Sequence, residues 1–193
     1  MRNNFVPRLI YSIILLLFFL QNLAAEINWP ILQEGNKIFL IRHASAPGGG
    51  DPEGFKINDC STQRNLDKTG IEQSKNIGKL FKKKNIPIDK VLTSQWCRCK
   101  DTAKYAFKNY KEFSALNSVF QSPFIKNEEK QIKEIKKYVK QWKSKNKNLI
   151  MITHYSIITK LTNSTPSSGE IIIVDKNFNI LDRVPTLKMG FLY

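Results

Sequence analysis

Histidine is nearly missing from this sequence: two occur in 193 residues, His43 and His154. Clusters of the form His-x-His or His-x-x-x-His are therefore absent, and a zinc site has little to draw on. Cysteine is scarce too. Cys60, Cys97 and Cys99 form one C-x-C pair and one distant residue, which is poor metal-ligand spacing. The glycines at residues 48–50 are not followed by Gly-Lys-Ser or Gly-Lys-Thr, so they do not make a P-loop. There are no internal repeats and no low-complexity domain. No compact Arg/Lys block with interleaved aromatics occurs, so no nucleic-acid partner is expected. Acidic residues are few: 16 Asp+Glu stand against 31 Lys+Arg, a formal charge of +15. The plain reading is lysines spread over a solvated surface. The sharper one is attraction to polyanions or phosphorylated ligands.

What is present suits one ordinary domain with a proper core. Residues 1–25 read as a signal peptide. Arg2 and Arg8 give a positive start, residues 9–20 are apolar, and the segment ends in Ala24–Ala25. Cleavage after Ala25 is expected, leaving residues 26–193 as the mature domain, with 29 basic against 16 acidic residues. An uncleaved anchor facing the periplasm is the alternative, although the apolar stretch is shorter than the ~20 residues a spanning helix prefers. Membrane contact is expected only through that leader. Export into an oxidising compartment favours a disulfide. Cys97 and Cys99 are too close in sequence to bond easily, so Cys60 is expected to pair with one of them.

The apolar run of residues 38–41 ends abruptly in Arg42–His43, and a Pro/Gly-rich loop follows to about residue 65. Thr69 and Glu72 match a capping box for a helix reaching about residue 84. A second strand is expected over residues 90–93. Ala103, Ala106, Phe107 and Tyr110 then show helical spacing from Arg98 onward. Residues 111–126 are irregular, with a short strand expected near Val119–Phe120. Asn127 is expected to cap a helix whose buried stripe is Ile132, Ile135, Tyr138, Val139 and Trp142. A third apolar strand, 149–153, delivers His154 and a short helix to Leu161. Residues 170–175 and 179–184 read as a closing hairpin. The alternation implies a three-layer α/β/α sandwich with a largely parallel sheet.

Open α/β sheets bind ligands at the carboxyl edge of their strands. That edge is where the run before Arg42–His43, the run before His154 and the segment leading to Arg98 all end. An arginine beside an imidazole suppresses its protonation. Neutral imidazole is a nucleophile toward phosphorus, and a guanidinium grips phosphate oxygens in a fork. Two histidines with Asp51 or Asp59 would make only a weak metal site.

Four landmarks, in order, resemble the histidine phosphatase superfamily, with its phosphoglycerate mutase-like fold. Leu40–Ile41–Arg42–His43–Ala44 is similar to its Arg-His-Gly signature, with Ala44 in place of the glycine. Arg64–Asn65–Leu66–Asp67–Lys68–Thr69–Gly70, with Gln73, resembles a Leu-Thr-x-x-Gly-x-x-Gln segment. Ser94 through Arg98 to Thr102–Ala103 resembles Ser-x-x-x-Arg-x-x-x-Thr-Ala, and Thr153–His154 takes the second histidine's place. The resemblance implies a phosphohistidine intermediate on His43. Arg42, Arg98 and His154 would hold the phosphoryl oxygens, and no metal or other cofactor would be required. Many members carry a glutamate near the position of Asn117, which cannot serve as an acid. Asp51 is the preferred substitute here, with Asp59 and Glu112 as alternatives. A leaving group of low pKa, such as phosphohistidine or an acyl phosphate, would need little protonation. The expected function is an exported phosphatase acting on a phosphomonoester or phosphohistidine. The alternative is a phosphate-ligand binding protein on a degenerate scaffold. A third reading, from the leader and the basic charge, is an anchored module at anionic envelope polymers.

Overall fold

The computed structural model describes residues 28–185. The expected leader, residues 1–25, lies outside them. Six strands form one sheet in the order β3-β2-β4-β1-β5-β6. They are β1 (Ile38–Arg42), β2 (Ile88–Thr93), β3 (Lys111–Glu112), β4 (Asn148–Thr153), β5 (Ile171–Val174) and β6 (Ile180–Val184). The first four pair in parallel, and the β5–β6 hairpin adds on antiparallel against β1. β1 and β4 are apolar along nearly their whole length because both faces are covered.

Side chains alternate between those faces. Phe39, Ile41, Ile150 and Ile152 join a core with α2 (Lys68–Lys83) and α3 (Cys97–Phe107). Ile38, Leu40, Leu149 and Met151 join another with α4 (Glu128–Gln141) and α5 (Tyr155–Thr162). A short helix, α1 (Trp29–Gln33), places Leu32 at the edge of the first core. This is the three-layer arrangement expected from the alternation of elements. No helix among the described residues is long and apolar enough to cross a membrane.

Four local expectations need correcting. The capping box does not form. Asp67 caps α2 instead, its Oδ1 accepting from Gly70 N at 2.7 Å, so Thr69 lies inside the helix. Packing explains the choice: a methyl group at Gly70 would overlap the Ser45 carbonyl, so the helix start is pressed against the chain just after His43. Val119–Phe120 is not a strand. Residues Ser114–Leu116 form a 3-10 turn, and Gln131 Nε2 holds the carbonyls of Ala115 and Asn117 at 2.9 and 2.8 Å. Asn127 stands at the start of α4 without a side-chain capping bond. α3 begins at Cys97 and ends at Phe107, leaving Tyr110 outside it.

The disulfide joins Cys60 to Cys97, and Cys99 is a buried free thiol. The bond anchors the long loop after β1 to the first residue of α3, next to Arg98. A link of this loop length contributes about 2–4 kcal/mol in the chain-entropy account.

Candidate active site

The parallel register of β1 with β4 sets Arg42 opposite Thr153. The residues that follow, His43 and His154, therefore leave the sheet side by side. His43 N donates to the Thr153 carbonyl at 2.9 Å, which fixes the spacing through backbone alone. Both imidazoles are buried, with ring centroids 5.4 Å apart in an edge-to-face arrangement.

His43 Nδ1 lies 2.9 Å from the Ala44 carbonyl oxygen. A carbonyl only accepts, so Nδ1 carries the proton and Nε2 keeps its lone pair. Burial, then the positive charge of Arg98, hold His43 well below the ordinary imidazole range, with smaller pushes from Arg42 and Arg64. His154 is depressed in the same way, by burial first and Arg98 second. Its Nε2 sits 2.9 Å from Ser94 Oγ, and Ser94 Oγ donates to Asn117 Oδ1 at 3.1 Å. Arg98 Nη2 approaches His154 Nδ1 at 3.5 Å, consistent with a proton on Nε2.

Because the rings are buried neutral, the unfolded chain binds protons below its own value of 6.5 that the native chain does not. Stability is then complete above that value and declines as pH falls, by about 1.4 kcal/mol per pH unit for each ring. The melting temperature is expected to turn downward below pH 6.5, and the slope just below that point to halve in His154→Gln. Equal slopes in the two proteins would contradict the assignment.

Arg98 is 3% exposed, and its fork is already filled. Nη1 donates to Asp51 Oδ1 at 2.8 Å and Nη2 to Asp51 Oδ2 at 3.1 Å. Asp51 also accepts from Trp96 Nε1 at 2.9 Å and from Arg64 N at 3.1 Å. Its two oxygens thus take four donors, so the residue expected to be the acid is instead the counter-ion that aims Arg98. Asp59 is exposed and engaged elsewhere. It caps the exposed 3-10 turn Cys60–Thr62 through Ser61. Glu112 is exposed on β3 and faces Lys100 at 3.5 Å.

The structure brings Arg42, His43, Arg98, His154 and Asp51 together, and it adds Arg64. Arg42 anchors Nη1 on the Pro166 carbonyl at 2.9 Å and lies over the Tyr155 ring at 5.3 Å. Arg64 donates from Nη1 to the Ala46 carbonyl. Burial, Arg98 and Arg42 lower Arg64 from its ordinary range, while Asp51 opposes them, which places its charge in the same pocket. Arg42, Arg64 and Arg98 each keep a buried Nε–H with no protein partner. Buried donors are ordinarily satisfied, and three on arginines whose charges all act on His43 suit an oxyanion.

Arg64 stood in a recognised segment, but nothing in a long polar loop marks which cation folds inward. Ser94 opened another such segment, and its bond to His154 depends on contact between β2 and β4. Thr102 supports the loop after His43 by accepting from Ala44 N at 3.0 Å. No group of three or more His, Cys, Asp or Glu side chains placed to hold a metal occurs among the described residues.

The family model described as histidine phosphatase superfamily, branch 1, matches residues 38–151. No curated protein sequence matches the chain. Among solved structures, the protein histidine phosphatase SixA complexed with tungstate is similar at 14% identity and a TM-score of 0.53, over 79% of this chain and 99% of that one. The product of open reading frame Rv3214 from Mycobacterium tuberculosis aligns at 16% identity and 0.52, over 72% and 90%. A putative alpha-ribazole-5'-P phosphatase from Escherichia coli aligns at 14% and 0.53, over 76% and 94%. At these identities the likeness concerns the fold.

Proposed function

The chain belongs to the histidine phosphatase superfamily, in its branch 1, and from that membership we propose that it hydrolyses a phosphomonoester or a phosphohistidine through a phosphoryl group carried on His43. The observation that supports this most is the neutral His43, its Nδ1–H held by the Ala44 carbonyl and its lone pair left on Nε2. In the first step Nε2 bonds to phosphorus, and the bond to the leaving atom breaks with its electron pair. Charge then develops on the ring, and the Ala44 carbonyl steadies it. The three arginine Nε–H groups bind the oxygens as they spread in the transition state. In the second step water oxygen bonds to phosphorus, the P–N bond returns its pair to Nε2, and a water proton goes to solvent. No metal takes part in these steps.

Asn117 favours a second reading, in which the pocket binds a phosphorylated ligand and does not turn it over. Rapid quenching into alkaline denaturant separates the two. During turnover of 4-nitrophenyl phosphate, a base-stable, acid-labile phosphoryl label on His43 is expected. Tight phosphate binding with neither label nor release would overturn the enzyme reading.

We place the reaction outside the cytoplasm on the strength of residues 1–25. The expected result is a mature amino terminus at Glu26 in the periplasmic fraction. An intact leader on membrane-bound protein would show an anchor instead.

A further inference from the structure

Beside the catalytic pocket stands a row of aromatic rings that the two chemical steps do not use. Tyr155 follows His154, and its ring lies 5.3 Å from the guanidinium carbon of Arg42. Phe120 also packs against Tyr155, with ring centroids 5.4 Å apart and planes at 60°. Phe120 is 47% exposed, so part of its ring is open to a ligand. The segment that carries it is tied to the pocket at both ends. Asn117 Oδ1 accepts from Ser94 Oγ and Gln95 N, and Gln121 Oε1 accepts from Asp51 N at 3.2 Å. Phe120 is therefore held at the mouth, on the side where Arg42 meets solvent.

The second observation is chemical. Asn117 has no proton to give as an acid, and both oxygens of Asp51 are committed. Glu170, another buried carboxylate, is bound by Ser167 N and Arg183. A leaving group must then depart without a proton from a carboxyl group. An alkoxide does this poorly. A phenolate does it better, because the ring delocalises the electron pair. A phosphorylated imidazole does it too, because its remote nitrogen takes a proton from water before the P–N bond breaks.

Resting on the phosphatase reading above, we propose that the substrate bears its phosphoryl group on an aromatic ring, which seats on Phe120 and Tyr155 as the leaving group. His43 Nε2 bonds to phosphorus, the P–O or P–N bond to the ring breaks, and the pair stays on the departing ring. The ring-on-ring contact adds binding that a small acyl phosphate cannot make.

The experiment measures kcat/KM of the full mature chain for 4-nitrophenyl phosphate, N-phosphoimidazole and acetyl phosphate. Acetyl phosphate also leaves without an acid but has no ring. In Phe120→Ala the ratio of a ring substrate to acetyl phosphate is expected to fall roughly tenfold, mostly through KM. Phe120→Tyr is expected to keep that ratio within about twofold. A fall for 4-nitrophenyl phosphate alone assigns an aryl ester, and a fall for N-phosphoimidazole alone assigns a phosphoimidazole. Ratios unchanged in Phe120→Ala overturn the proposal. Turnover of acetyl phosphate without either ring compound also overturns it, while leaving the phosphatase reading intact. Turnover of none of the three removes both.

Discussion

His43→Ala is expected to lower kcat on 4-nitrophenyl phosphate by about 10⁴-fold or more and to carry no phosphoryl label after alkaline quench. In the proposed mechanism the side chain supplies the atom that bonds to phosphorus, so nothing else in the pocket would substitute for it. His154 is already engaged with Ser94 at 2.9 Å and approached by Arg98 at 3.5 Å. The variant is expected to fold, because removing a buried neutral ring at a strand end leaves the β1–β4 backbone bonds in place. It should still bind inorganic phosphate through the arginines. Retained turnover with the wild-type label would show that another residue is the nucleophile.

Arg98→Ala is expected to damage both stability and activity. The Arg98–Asp51 pair is almost wholly buried, with side chains 4% and 3% exposed. Removing the arginine leaves a buried carboxylate with two donors, Trp96 Nε1 and Arg64 N, in place of four. Breaking such a pair costs about 3–5 kcal/mol, or roughly 10 °C in melting temperature for a domain of this size. Activity should fall a further 10²–10³-fold, roughly the worth of one transition-state donor. The double replacement Arg98→Met with Asp51→Leu separates these effects. Much of the stability is expected to return, because no charge is left unpaired, while activity stays lost. Thermal melts and phosphate-release assays of the two variants check this. A double variant with wild-type turnover would remove Arg98 from the machinery.

The elements at the centre of the sheet were legible because their physics is local. Residues 38–41 and 149–152 are apolar on consecutive positions, as strands covered on both faces must be, and the polar residues that end each run mark the edge. The nearness of Arg42, His43 and His154 followed from those runs, and that of Arg98 from the strand expected over residues 90–93. Asp51 was misread for the opposite reason. A carboxylate in a glycine-rich loop looks free in sequence, and only the folded chain shows Arg98 and Trp96 closing on it. Asp67 and Thr69 could each cap α2, and the nearness of Gly70 to Ser45 decided between them. Val119–Phe120 joins a β-branched to an aromatic residue, as strands favour, but β3 already occupies the free edge of β2. Arg64 required knowing that the Cys60–Cys97 link folds its loop inward, and the sequence left the choice between Cys97 and Cys99 open.

The pairing of β1 with β4 also acts as a ruler. The two strands come from segments about 111 residues apart, matched residue for residue from Ile38 with Leu149 to Arg42 with Thr153. The distance between the two histidines is thus counted out in backbone hydrogen bonds. A slip of one position would send His43 to the opposite face of the sheet, so the two strands have no graded tolerance: they are in step or the pocket does not exist. Length changes in the loops at the far edge leave the count untouched, whereas a single inserted residue in either strand would undo it.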